Sequence, residues 1–160
     1  MNVLVAYNGL ETGLEPSRYA LEEAVRIAKQ YGLGDVREGP GNGSGQIVVL
    51  SVVPPGARMG AQLNFGPHAQ DDVAIAHAFL RERGILSTMK VAHGDPAKEI
   101  LKEAREGGYD LVILGRRELG PIGRLVLGSV SGKVAKEAPC AVLVASKGRV
   151  ERIEPVAARR

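Results

Sequence analysis

Glycines and basic residues cluster between Gly115 and Ser129, where the chain reads Gly-Arg-Arg-Glu-Leu-Gly-Pro-Ile-Gly-Arg-Leu-Val-Leu-Gly-Ser. Glycine lets a backbone N–H approach an anion that a Cβ would hold off, and a helix N-terminus adds donors and a favourable dipole. Such a segment can cradle phosphate oxygens. It follows Tyr109-Asp-Leu-Val-Ile-Leu114, which has the composition of a buried strand, so the order is strand, glycine-rich loop, helix. A phosphorylated small molecule is the expected ligand, with Gly115, Gly128 and Ser129 as the cradle and Val130 and Ser131 beside it. The Ser129 hydroxyl either serves that ligand or bonds back to a helix carbonyl.

Other groups with chemical potential are less productive. Gly39-Pro-Gly-Asn-Gly-Ser-Gly45 has the glycine spacing of a dinucleotide loop but precedes a strand instead of following one. Gly128-Ser-Val-Ser-Gly-Lys133 lacks the spacing and the final hydroxyl residue of a P-loop. His68, His77 and His93 form no pair with metal-ligand spacing, and Asp71-Asp72 reads as a charge pair at a helix start. Phosphoanhydride hydrolysis needs a metal-holding carboxylate and a group to position water, yet the glycine-rich segment offers only Glu118. The expectation is therefore binding, with no catalytic residue and at most slow, incidental phosphoanhydride hydrolysis. Cys140, the single cysteine, excludes an internal disulfide and is expected to be buried and inert.

Positioning the cradle requires a scaffold, and short Val, Ile and Leu-rich runs recur at Val3–Tyr7, Gln46–Val53, Leu86–Ala92, Asp110–Gly115 and Ala141–Ala145. None shows clear polar alternation, as expected of parallel strands covered on both faces. Between them, Pro16–Tyr31, Gln70–Gly84, Pro96–Glu106 and Ile122–Glu137 carry apolar residues at helical spacing. Asp95-Pro96 provides an N-cap followed by proline, and Gly107-Gly108 a helix stop. The predicted fold is α/β, an open doubly wound five-stranded parallel sheet flanked by four helices. In such a sheet the ligand crevice opens at the C-terminal strand ends where strand order reverses, here between the first and fourth strands, near Asn8 and Gly115.

The 160 residues, 44% hydrophobic and 24% charged, suit one globular domain, expected over residues 1–146, with 147–160 as a flexible basic tail. No apolar run reaches membrane-spanning length and Met1–Ala6 lacks the basic start of a signal peptide, so a cytoplasmic protein without membrane contact is expected. The net charge of +3 resides mostly in that tail, which has no interleaved aromatics, so no specific nucleic-acid binding is expected. With no Trp and few aromatics, a flavin sandwich is disfavoured.

Five pieces in this order resemble the universal stress protein family: Val3-Leu-Val-Ala-Tyr-Asn-Gly9, Val49-Leu-Ser-Val-Val-Pro54, Gly94-Asp-Pro96 with Ile100, Tyr109–Gly115, and Gly128-Ser-Val-Ser followed by Ala138-Pro-Cys-Ala-Val-Leu-Val144. The resemblance implies the five-stranded sheet and a homodimer through the last strand, Ala141–Ala145. ATP-binding members carry Gly, two residues, Gly, nine residues, then Gly with Ser or Thr. Gly115 and Gly128-Ser129 match this spacing, whereas Glu118 occupies the second glycine position and Asn8 replaces the usual Asp at the first strand's end. A carboxylate at position 118 repels phosphate; Arg116 and Arg117 offset its charge, and Asn8 retains an acceptor for a ribose. The resemblance further implies that backbone at Val52 approaches an adenine and that Tyr7 closes the pocket beneath it, although core packing accounts equally well for both. Two readings stay open: a dimeric sensor or regulatory module binding ATP, with or without Mg²⁺, in the stress response, and a nucleotide-free dimer acting through protein contacts because Glu118 and Asn8 disable the site.

Overall fold

The computed structural model describes residues 1–7, 14–38, 45–55, 69–116 and 128–159. Strands β1 (Asn2–Ala6), β2 (Gln46–Val53), β3 (Thr88–His93), β4 (Leu111–Gly115), β5 (Ala141–Ser146) and β6 (Arg149–Ile153) alternate, up to β5, with helices α1 (Leu14–Tyr31), α2 (Ala69–Arg81), α3 (Pro96–Glu106) and α4 (Ser129–Glu137). One six-stranded sheet runs β3-β2-β1-β4-β5-β6, with every pairing parallel except the last. The first five strands and their order agree with the doubly wound arrangement expected from the sequence.

Strand pleating divides the core into two layers. Val3 and Val5 point into a cluster with Leu21, Ala24 and Ile27 of α1 and Val73, Ala76 and Leu80 of α2. Leu4 points the other way, towards Ile100 and Leu101 of α3 and Val134 of α4. Both faces of β1, β4 and β5 are thus buried, which is why these strands lack polar alternation. Helix α3 begins as its sequence dictates: the Asp95 carboxylate accepts from the Lys98 N–H at 3.0 Å, Pro96 occupies the first turn, and Gly108, just beyond the helix, takes a left-handed φ of 63°. At the end of the sheet away from the strands' C-termini, the Glu103 carboxylate accepts from both Lys90 Nζ and the Tyr109 hydroxyl, each at 2.7 Å.

Three expectations need correction. The last helix does not run unbroken from Ile122: Gly128 is extended (φ −62°, ψ 170°), so the described helix starts at Ser129. Residues 149–153 form a strand, because the turn at Lys147-Gly148, where Gly148 has a φ of 67°, folds them back antiparallel onto β5. Finally, Ala141–Ala145 is not an edge open to a second copy. It lies inside the sheet between β4 and β6, which answers the exposed-edge hazard within the same chain.

Candidate functional site

Pairing of Val3 through Ala6 with Leu111 through Leu114 brings Tyr7 alongside Gly115 at the C-terminal ends of β1 and β4. The Tyr7 N–H donates to the Leu50 carbonyl at 2.8 Å, holding the end of β1 against β2 just before Val52. The chain leaves β1 for α1 on one face of the sheet, and α4, which follows β4, packs on the other. That divergence is the topological switch at which α/β sheets bind ligands.

The first turn of α4 does not compensate its own dipole. Its N-cap, Gly128, has no side chain to bond the first-turn N–H groups, and that turn contains no acidic residue. The Gly128 φ is not left-handed, and among the described residues an added Cβ would meet Ser131 Oγ at 3.6 Å, an ordinary contact. Ser129 is exposed in the first turn, while the hydroxyl that bonds back is that of buried Ser131, which donates to the Gly128 carbonyl at 3.4 Å.

Arg116 extends the β4 ladder by one bond, its N–H donating to the Ala145 carbonyl at 2.9 Å. Its Nη1 is buried and has no hydrogen-bond partner among the described residues. The sequence marked Arg116 only as a charge offset to Glu118; the buried, unmatched guanidinium nitrogen gives it a stronger claim to an anion. No residue pattern announces burial of one guanidinium nitrogen.

Side chains of the other candidates divide between the layers. Tyr7 is buried with α1 and α2, and that burial, followed by the nearby Asp72 charge, raises its hydroxyl above the usual tyrosine range. Val52 is buried on the opposite face, and Val130 packs against the same cluster as Val52. The structure therefore brings Tyr7, Val52, Gly115 and the Gly128–Val130 segment to the same end of the sheet, with Tyr7 facing away from the α4 layer. Asn8, Arg117 and Glu118 lie outside the described residues, as do residues 56–68.

His77 Nδ1 is 2.9 Å from Ser87 Oγ, and His93 is exposed at the end of β3. Among the described residues no cluster of three His, Cys, Asp or Glu could hold a metal ion, and no helix is long and apolar enough to cross a membrane. Burial, with a smaller contribution from Asp110, pushes the Cys140 thiol up, away from its reactive thiolate form.

A family model described as the universal stress protein family matches residues 41–146. The universal stress protein YxiE of Bacillus subtilis is 40% identical over 63 residues, which are 39% of this chain and 43% of that protein. The chain spans less than half the length of the curated relatives it matches. A universal stress protein from Archaeoglobus fulgidus has the same fold, with a TM-score of 0.68 and 19% identity over 91% of this chain and 98% of that one. A family protein from Arabidopsis thaliana, solved with AMP bound, aligns with a TM-score of 0.62 and 19% identity over 91% of each chain.

Proposed function

The chain belongs to the universal stress protein family, and from that premise we propose that it binds an adenine nucleotide at the C-terminal ends of β1 and β4 as a regulatory module of the stress response. The observation that carries this reading is the buried Arg116 Nη1, unmatched among the described residues, immediately after Gly115 at the topological switch. A buried guanidinium donor is costly unless an anion meets it, and phosphate oxygens fit its geometry. Gly128 supports the same reading, since the described residues give no steric reason for a glycine there whereas close approach of an anion does.

ATP is the leading ligand because Gly115 and Gly128-Ser129 keep the spacing of ATP-binding relatives; the AMP-bound Arabidopsis protein supports the adenine preference. In this reading Arg116 and Arg117 neutralise phosphate charge, Gly128, Ser129 and Val130 present N–H donors, and Asn8 bonds the ribose. Val52 backbone lies beside the base, and Tyr7 supports the strand end from the opposite layer. Mg²⁺, where it accompanies ATP, would be held chiefly by the phosphates. Two copies acting together belong to the proposal as well, subject to the closed edge of β5.

Thermal-shift titration with ATP and Mg²⁺, using ADP, AMP and GTP as comparators, tests the proposal alongside mass spectrometry of any co-purified ligand. A saturable rise with adenine nucleotides supports it, because a ligand that binds only the folded state must stabilise that state. No rise and no carried ligand would favour the second reading, a nucleotide-free protein acting through protein contacts. The observation behind that alternative is Glu118 at the position of the motif's second glycine, together with Asn8.

A further inference from the structure

The antiparallel return of β6 places a second unmatched charged atom close to the candidate site. Ladder pairing sets Gly115 beside Ala145 and Ala145 beside Val150, so the row one residue further along β4 runs Arg116, Ser146, Arg149. The row before it runs Leu114, Val144, Glu151. Leu114 and Val144 belong to the buried cluster that α3 and α4 share with the sheet, and Ile153 packs against that cluster. Strand residues two apart lie on one face, so Arg116, two after Leu114, and Glu151, two before Ile153, share the α4 side of the sheet. Their Cα atoms are separated by two strand spacings, about 10 Å, across the sheet and by about 7 Å along it. An arginine and a glutamate side chain can close that gap between them.

Glu151 Oε2 is buried and, like Arg116 Nη1, has no hydrogen-bond partner among the described residues. Its polar neighbours are engaged elsewhere: the Ser146 hydroxyl donates to the Arg149 carbonyl at 3.3 Å, and Arg152, on the other face of β6, pairs with Glu154. A carboxylate opposite aliphatic Val144 adds nothing to the strand pairing, and burying its oxygen costs desolvation. Two buried atoms of opposite charge thus share one face, two strands apart, and the described fold uses neither.

We infer that Glu151 is a positioning residue for Arg116, and that β6 is thereby part of the anion site. The inference rests on the reading of Arg116 as a phosphate-binding residue. A guanidinium carries five donors in one plane, enough to meet phosphate oxygens along one edge and the Glu151 carboxylate along another. Anchored from β6, Arg116 loses less side-chain freedom when the anion arrives. Binding and β6 docking then favour each other, because an anion that orients the guanidinium also supplies Glu151 with its donor. β6 lies beyond residues 41–146, the stretch that the family model matches, so the matched stretch does not include Glu151.

Calorimetric titration with ATP and Mg²⁺ across a double-mutant cycle of Glu151→Gln and Arg116→Met tests the inference. Glu151→Gln should weaken binding about two- to tenfold in the parent and no further in Arg116→Met, while chemical denaturation shows ligand-free stability undiminished. Glu154→Gln makes the same charge change on an exposed side chain and should leave affinity at the parent value. Hydrogen exchange supplies a readout that a purely structural role would not move: nucleotide should slow the β6 amides in the parent and not in Glu151→Gln. Unchanged or tighter binding in Glu151→Gln would overturn the inference and leave nucleotide binding standing. So would equal losses in both Arg116 backgrounds, since Glu151 would then act elsewhere. β6 exchange unaffected by nucleotide in the parent would overturn it without recourse to any variant. A parent that binds no nucleotide would remove the premise and the inference together.

Discussion

Replacing Arg116 with methionine should move protein stability and ligand affinity in opposite directions. Methionine keeps much of the aliphatic stem but removes the buried Nη1, which has no partner among the described residues. Relieving an unsatisfied buried donor is worth about 1 kcal/mol, so the ligand-free variant should match or exceed the parent, with Tm rising by about 2–4 °C for a domain of this size. Losing a charge-assisted hydrogen bond to phosphate costs about 1.5–3 kcal/mol, which weakens nucleotide affinity about 10- to 150-fold. At a nucleotide concentration about 100 times the parent Kd, the ligand should contribute about 2.7 kcal/mol to the parent and at most about 1.4 kcal/mol to the variant. Chemical denaturation without ligand and calorimetric titration with nucleotide measure the two effects separately, and Arg116→Lys should retain part of the affinity as a point charge. A ligand-free variant less stable by more than about 1 kcal/mol, with affinity unchanged, would make Arg116 a structural residue and refute the reasoning.

The remaining predictions concern the cradle and the opposite end of the sheet. Gly128→Ser should stabilise the ligand-free protein by a few tenths of a kcal/mol through N-capping, while calorimetry shows nucleotide affinity reduced at least about tenfold; unchanged affinity would count against close approach of an anion there. Glu118→Gly, which restores the motif spacing, should increase the thermal shift with ATP, and an unchanged shift would show that the carboxylate does not oppose phosphate. Tyr109→Phe removes the hydroxyl that donates to Glu103 at 2.7 Å and should cost about 1–2 kcal/mol in denaturation experiments; no loss would mean that the Lys90 contact alone suffices. Burial alone would raise the Glu103 carboxyl, but the bonds from Lys90 and Tyr109 outweigh it and hold the group below its ordinary range. Its contribution is complete above the unfolded-state value and is lost as pH falls through the lower folded-state value, so Glu103→Gln should flatten the acid limb of a stability profile measured through that window.

Much of the scaffold was legible because its signals are local and repeated. Buried parallel strands announce themselves as aliphatic runs, and α3 carries both its cap and its stop within Asp95–Gly108. β6 was not legible for the converse reason. Arg149-Val-Glu-Arg-Ile153 has the charge of a solvated tail, and only pairing with β5, a non-local event, makes it a strand.

The glycines show most directly why the site was less legible than the fold. Gly107, Gly108 and Gly128 are identical letters with three different physical causes. At Gly107 a Cβ would fall 2.1 Å from the Tyr109 ring, so glycine there makes room for the side chain that bonds Glu103. At Gly108 the space is open, and a φ of 63° is the reason. Gly128 has neither cause among the described residues: its backbone is accessible to any residue, and an added Cβ would meet Ser131 Oγ at an ordinary 3.6 Å. N-capping favours serine, threonine, aspartate or asparagine over glycine at that position, so local helix energetics does not call for it either. Approach of a ligand accounts for it, at the start of α4, where Gly128 supplies no side-chain cap, and at the same end of the sheet as Gly115 and Arg116. A glycine without a steric or conformational cause among the described residues and a buried guanidinium nitrogen without a described partner each point to a ligand, and an anion meeting backbone N–H groups supplies what both lack.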